Sequence, residues 1–417
     1  MAKKSALVSE KDYQEAVRLA REIEEPLGLA VGRFDPSRMP QLSFNSFPVK
    51  SATCAVSPDS SYLLLKKAID SATSTLLLYI YDVSAPYMID LLAAAKSRGV
   101  TIRAMYDATS NGAEELEALK KVVKASNLKE APSKGTRSVF TVCHQKFMVI
   151  DGKILIVESA NWARSSVPDI KTPGKFKKAN REWFIRFDDA NLADWFTKLF
   201  NADFNIPETI AAAAGAIPFP FEGLTMAAAV TPPGKLFPVT QVDDNSAVVT
   251  PILSPDNYLK EVKALLAAAE KSISLQQQYI LAGDGVRELL ETIAARRKKV
   301  SSLQVRIISS ATFAKNWEAT QKTLKAFKLL ECLKALNPGP FTHCHNKGVI
   351  VDDHSVVVSS TNLSSNSVLR AREAGVLVRS KKITKFFRDV FDLDWKEGLT
   401  PDQIAASAAV VSPADVH

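Results

Sequence analysis

Along the first part of the chain the apolar positions change period in a fixed order. Behind Ser57-Pro58-Asp59, from Tyr62 onward, they recur at helical spacing, and Leu76-Leu77-Leu78-Tyr79-Ile80-Tyr81 then reads as a buried strand. This predicts a helix over 60–71, a strand over 75–81, a helix over 85–97 and a strand over 101–106. The order returns at a lag of 197 positions from Asp59 to Asp256 and 201 from His144 to His345. There it predicts a helix over 257–271, a strand over 272–280, a helix over 284–298 and a strand over 303–309. Each copy closes on a strand (182–187; 374–379) and a helix (192–200; 384–395). The β-α-β order places the chain in the α/β class, with parallel strands joined by right-handed crossovers. A lag this long is no solenoid period, so each copy is a half with its own sheet and helices.

The punctuation divides the chain into an N-terminal helical extension (1–51, one helix over 11–24), a first half (52–205), a linker (206–246), a second half (247–400) and a tail (401–417) whose residues 405–417 read as frayed. The linker is rich in Ala, Pro and Phe, including Ile217-Pro218-Phe219-Pro220-Phe221. It reads either as a segment packed across both halves or as an apolar lip beside a site that receives lipid. Composition adds bounds. With 417 residues, 46% hydrophobic and 24% charged, the chain can bury a large core, which excludes a disordered, collagenous or disulfide-stapled protein. The longest apolar run, 210–217, falls far short of the roughly 20 residues that cross a bilayer, so no transmembrane segment is expected. No signal peptide is evident in MAKKSALVSEKD, and the four cysteines form no CxxC pair. Both fit a cytoplasmic protein with free thiols, with secretion of a trimmed precursor left open. The net charge of +8 tilts toward phosphate-bearing partners.

Two of five histidines stand in equivalent places. His144-Gln145-Lys146 runs through Asp151 to Ser159-Ala160-Asn161, and His345-Asn346-Lys347 runs through Asp352 to Ser360-Thr361-Asn362. Both strings read as strand, turn, strand, with His and Lys on one face. Two-residue turns at Gly152-Lys153 and Asp353-His354 would set His144 opposite Asn161 and Lys146 opposite Ser159, and likewise His345 opposite Asn362 and Lys347 opposite Ser360. Lysine charge with Asn and Ser donors suits the oxygens of a phosphoryl group. Two imidazoles across a pseudo-twofold interface suit attack on phosphorus by one and protonation of the leaving oxygen by the other, through a phosphohistidine.

The doubled HxK(x)4D pattern with its Ser-x-Asn tail resembles the phospholipase D superfamily over residues 52–400. That resemblance implies two tandem α/β/α halves with mixed, largely parallel sheets, packed across a pseudo-twofold interface that holds one active site. It implies His144 as nucleophile and His345 as general acid. Lys146, Lys347, Asn161 and Asn362 match the family's phosphate ligands, supported by Ser159 and Ser360. Asp151 and Asp352 match the motif aspartate and fall on the opposite strand face, a structural position tying the hairpin to the interface. Glu182 and Glu373, each after Arg in Asn180-Arg-Glu-Trp and Ala371-Arg-Glu-Ala, stand where a carboxylate would fix the ring tautomer of its histidine. Where the family has Gly before the tail serine, this chain has Glu158 and Ser359; alternation points Glu158 away from the site.

Neighbouring residues carry weaker signals. His343-Cys344-His345 and Cys143-His144 suggest zinc, but the lysines on the histidine faces would repel a cation. No metal or cofactor is therefore expected, and the cysteines read as packing. His343 shares the face of His345, and His354 sits in a turn. Trp162 reads equally as core or site lining, and Tyr79, Tyr81, Gln278 and Tyr279 end strands that face a ligand crevice. Residues 164–181 hold six basic side chains against Asp169, either a solvated loop or a rim that steers anions; Arg296 to Lys299 offset a helix dipole. The partner is a phosphodiester: a phospholipid is favoured, with peripheral membrane contact open, and nucleic acid is the alternative. A catalytically idle binding module is the reading from another class. The duplication supplies both histidines from one chain, so an oligomer is not required.

Overall fold

The computed structural model describes residues 7–24, 34–107, 113–209 and 231–410; the apolar run 210–217 and the Pro-Phe stretch of the linker lie outside them. The described strands are β1 (Phe47–Ser57), β2 (Thr75–Ile80), β3 (Thr101–Tyr106), β4 (Leu128–Glu130), β5 (Lys146–Ile150), β6 (Ile154–Glu158) and β7 (Ala179–Asp188) in the first repeat. The second repeat adds β8 (Thr240–Ser254), β9 (Ser272–Gln277), β10 (Gln304–Ser309), β11 (Leu333–Ala335), β12 (Phe341–Cys344), β13 (Lys347–Val351), β14 (Ser355–Ser359) and β15 (Glu373–Arg379). They join one mixed sheet in the order β11-β10-β9-β13-β14-β15-β8-β1-β7-β6-β5-β2-β3-β4, with β12 beside β7.

From the centre outward the two sides of this order are copies. The parallel pairs expected from the β-α-β order are the outer ones, β2-β3-β4 and β9-β10-β11. The pairs along the path between them are antiparallel. The seam is β1 on β8, from Phe47↔Val249 to Cys54↔Thr240. β1 begins inside the segment read as helical extension, and β8 begins inside the segment read as linker. Polar positions such as Lys50, Ser51, Gln241, Asp243 and Asp244 interrupt their apolar pattern, which hides them from a periodicity reading.

Both faces of the sheet are covered. Leu76, Leu78 and Ile80 of β2 join the helices Ser61–Asp70 and Pro86–Ser97 in one core, while Leu77 and Tyr79 point to the other face. That face is covered by the helices Ala190–Phe204, under the first repeat, and Lys381–Glu397, mainly under the second, in one shared core. A strand buried on both sides loses its polar alternation, hence the uninterrupted apolar runs. Asp189 and Ser380 start those two helices by accepting hydrogen bonds from Leu192 N and Ile383 N, at 2.9 and 3.1 Å. The N-terminal helix, Glu10–Glu24, packs Tyr13 and Ala16 into the second repeat's core. The chain past 400 departs from the frayed reading: Pro401–Val410 is a helix. Thr400 and Gln403 cap it reciprocally, Gln403 N to Thr400 Oγ1 at 3.3 Å and Thr400 N to Gln403 Oε1 at 2.8 Å. Among the described residues no helix is long and apolar enough to cross a membrane.

Candidate active site

The motif hairpins turn on three residues, not two. β5 and β6 close on Ile150↔Ile154, and β13 and β14 on Val351↔Ser355. Asp151 and Asp352 thus enter the turns, with φ of 51° and 53°, and the cross-strand register sits one residue away from the expected one. The aspartates explain the change. Asp151 accepts hydrogen bonds from the backbone N–H groups of Thr73, Ser74 and Thr75 at 2.8–2.9 Å. Asp352 accepts from those of Glu270, Lys271 and Ser272. Burial pushes both carboxyls up, but these donors more than offset it and hold them below the usual range. The structure therefore puts the motif aspartates at the far end of the hairpin from the histidines. They peg it to the start of β2 or β9, away from the interface.

At the near end the two repeats exchange partners. The residues before each histidine run beside the other repeat's Arg-Glu pair, with Cys344 paired to Arg181 and Cys143 bridged to Arg372. His144 Nδ1 consequently lies 2.9 Å from Glu373 Oε2 and 3.1 Å from the carbonyl oxygen of Ser360. His345 Nδ1 lies 2.5 Å from Glu182 Oε1. Each carboxylate serves the histidine of the opposite repeat. The carbonyl of Ser360 can only accept, so Nδ1 of His144 carries the proton and Nε2 keeps its lone pair. Burial, then the neighbouring lysines, hold His144 well below the usual imidazole range. Burial lowers His345 to about 4 although Glu182 pulls it up. Burial pushes Glu182 up, but His345, Lys347 and the Ser159 hydroxyl together hold it below its ordinary value, whereas burial pushes Glu373 up to about 8.

The serines face these glutamates. Ser159 Oγ donates to Glu182 Oε2 and Ser360 Oγ to Glu373 Oε2, both at 2.6 Å. Their hydroxyl hydrogens, expected to support a phosphate, instead hold the carboxylates. Ser166 adds a second donor to Glu182 at 2.9 Å, and Ser367 stands equivalently to Glu373. The 201-residue lag, applied past the motifs to Ser166 and Ser367, could have found this pair. Lys146 and Lys347 are fully buried, each donating to the carbonyl of its own histidine. Burial lowers both, Lys347 to about 8. Asn161 and Asn362, buried just beyond β6 and β14 at the same end of the sheet, leave Oδ1 unpartnered among the described residues.

Of the neighbours, Tyr81 sets its ring edge-to-face with His144 at 4.7 Å and lies 5.1 Å from Lys146 Nζ. Tyr79 is core, against Phe147 and Phe200. Trp162 is core as well, donating to Glu158 Oε1 at 2.9 Å. Burial pushes Glu158 up to about 8, so it is neutral at pH 7 beside Lys146. Asp82, which sequence reasoning passed over, is buried in the same neighbourhood and pushed by burial to about 6. Arg181 does not join a basic rim: it is buried and paired at 2.9 Å to both Asp59 and Asp394. Its counterpart Arg372 pairs with Asp203 and Asp256 at 2.9 and 2.6 Å. Arg164, Lys171 and Lys175 remain exposed on the loop. The four cysteines are buried free thiols. The cluster thus gathers two lysines around Glu182, the carboxylate held below its ordinary value, while burial pushes Glu373 and Glu158 up to about 8. That is an environment for an anion.

A family model described as cardiolipin synthase, PLD-like domain, matches residues 65–204 and 262–395. A relative named phospholipase D from Rickettsia bellii (strain RML369-C) is 26% identical over 145 residues, 35% of this chain and 64% of that relative's own length. The chain therefore spans under two thirds of the curated relative it matches. Among solved structures, a phosphatidylserine synthase of Haemophilus influenzae Rd KW20 superposes with a TM-score of 0.60 at 16% identity, covering 93% of this chain and 92% of that one. A polyphosphate kinase of Porphyromonas gingivalis gives 0.50 at 11% identity over 82% of this chain and 50% of that one. At such identities these two likenesses speak of fold alone.

Proposed function

The chain belongs to the phospholipase D superfamily of PLD-like phosphodiesterases, and from that premise we propose that it cleaves or transfers phospholipid headgroups through a phosphohistidine, without a metal ion. The observation that carries this reading is the pair of crossed contacts, His144 to Glu373 and His345 to Glu182, around two buried lysines. The phosphoryl oxygens lie against Lys146, Lys347, Asn161 and Asn362, whose charge and dipoles do the work a metal would otherwise do. His144 Nε2 attacks phosphorus, and the leaving alkoxide takes a proton from His345. Glu182 supports the acid role of His345, since an ionised carboxylate at 2.5 Å stabilises the imidazolium. The free imidazole sits near 4, and the incoming phosphodiester anion raises it toward the working range. In the second half-reaction His345 removes a proton from water or an alcohol, which displaces His144.

The lipid reading draws support from the description of the family model and the name of the curated relative. A nuclease of the same superfamily is the second reading, favoured by the exposed Arg164, Lys171 and Lys175. The test uses purified protein in EDTA, with vesicles of phosphatidylcholine and phosphatidylglycerol beside single-stranded DNA. Headgroup release should persist in EDTA and fall about a thousandfold or more in His144→Ala. DNA cleavage lost in the variant, with vesicles untouched, would establish the nuclease instead. Turnover indifferent to His144→Ala would overturn both.

A further inference from the structure

The two repeats are not equivalent at the site. Two residues before His345, within β12, stands a third histidine, His343, where the first repeat has Val142. Its ring lies 5.7 Å from that of His345, walled edge-on by Phe313 at 5.0 Å, and the residue is 7% exposed.

A chain of hydrogen bonds fixes its tautomer. Thr312 Oγ1 donates to the carbonyl of Thr342 at 2.9 Å, and Ser310 Oγ donates to Thr312 Oγ1 at 3.1 Å. The one hydrogen of the Ser310 hydroxyl is thereby used, so at 2.5 Å from His343 Nδ1 that oxygen accepts and Nδ1 donates. Nε2 is left with its lone pair, shielded from solvent and without a donor among the described residues. Burial and the nearby His345 and Lys347 hold the ring well below the usual imidazole range, so it stays a neutral acceptor. The repeat with the proposed acid and base thus places a second, non-titrating acceptor beside it.

We propose that His343 holds the attacking nucleophile of the second half-reaction, favouring water or an acceptor with a second O–H or N–H group over a monohydric alcohol. This rests on the phosphohistidine reading. In that step the nucleophile's oxygen bonds to phosphorus, the bond from phosphorus to His144 Nε2 breaks, and its electron pair returns to the ring. One proton passes to His345 Nε2. Water keeps a second hydrogen, and glycerol or an amino alcohol a second donor, for His343; ethanol or 1-butanol has none left. His343 is therefore a positioning residue that sets the balance between hydrolysis and transfer.

The full chain is tested with bis(p-nitrophenyl) phosphate as the probe, in water with 1-butanol or glycerol added at equal concentration, comparing hydrolysed and alcohol-transferred products. The same samples, quenched in alkali, are searched by mass spectrometry for the phosphoryl adduct on His144. His343→Val, which installs the first repeat's residue, should keep the adduct and lower hydrolysis about tenfold, the worth of one hydrogen bond. Transfer to butanol should hardly change, and the preference for glycerol over butanol should disappear. His343→Gln, whose amide oxygen can accept from nearly the same place, should restore wild-type partitioning to within about threefold. Wild-type partitioning in His343→Val, or equal losses on every arm, would overturn the inference with the adduct still present. No adduct, with turnover surviving His144→Ala, would instead overturn the phosphohistidine reading and this proposal with it.

Discussion

A lysine sealed from water titrates within reach of ordinary buffers, and Lys347, lowered by burial to about 8, is one. Being lowered, it is charged below about pH 8 and neutral above, so its pull on a phosphodiester is present below that pH and lost above. Glu373 and Glu158, both raised to about 8 by burial, are neutral below it and negative above. All three groups make the site less positive over one interval. We therefore expect kcat/KM for an anionic phosphodiester to be level near pH 6.5–7.5 and to fall above about pH 8 more steeply than one titration allows. Glu158→Gln removes one of the three. Its alkaline limb should be shallower, and its activity at pH 7 should stay within about threefold of wild type, because the carboxyl it replaces is already neutral there. A profile flat to pH 9.5, or an unchanged limb in the variant, would contradict this. The sequence showed an acid where the family has glycine. It could not show that burial would keep that acid protonated, because burial belongs to the packing of β6 and Trp162.

At the scale of the element, the hairpins mark where sequence legibility ended. Alternation put His and Lys on one face and Asp on the other, and that much needs only the strand period. Register needs the turn, and Gly152-Lys153 reads as a two-residue turn until one sees what Asp151 does with its carboxylate. The backbone N–H donors that draw an aspartate into the turn lie about 80 residues upstream, at Thr73 to Thr75 and Glu270 to Ser272. β1 and β8 escaped notice for the opposite reason: their apolar pattern is broken by polar residues that only the seam explains. The peg reading makes a stability prediction. Asp352→Ala strands three backbone donors in a mostly buried place and should cost about 2–3 kcal/mol in urea unfolding. Asp151→Ala, whose bonds lie nearer solvent, should cost about 1 kcal/mol. Turnover of the folded fraction should stay within about threefold in both, since neither carboxylate reaches His144 or His345. Loss of activity at unchanged stability in either variant would return the aspartate to the chemistry.

For the whole molecule, duplication was legible in the sequence, but the exchange was not. Every residue that one histidine needs has a copy within its own repeat, and nothing in either copy says that the partner comes from the other one. The exchange follows from β12 lying along β7 across the seam, and it is backed by buried charge. Arg372, which precedes Glu373, is gripped by Asp203 of the other repeat; Arg181, which precedes Glu182, is gripped by Asp394. Gln145, between His144 and Lys146, donates to Asp203, and Asn346 reaches Asp394 through Gln276. Each motif strand and each glutamate strand is therefore tied to one carboxylate on a helix beneath the sheet. Removing one member of such a pair leaves a buried charge half compensated, so Asp203→Asn should cost about 3–5 kcal/mol. Adding Arg372→Met should recover part of that loss, because the uncompensated charge then goes too. Since the sheet and the core above those two helices run through both repeats, the loss should move the whole unfolding curve. Tryptophan fluorescence, which samples both repeats through Trp183 and Trp317, should report one transition at one midpoint, in step with far-ultraviolet circular dichroism. Two separated transitions in Asp203→Asn would mean that each repeat stands alone, and the exchanged glutamates would then be a docking contact between finished domains.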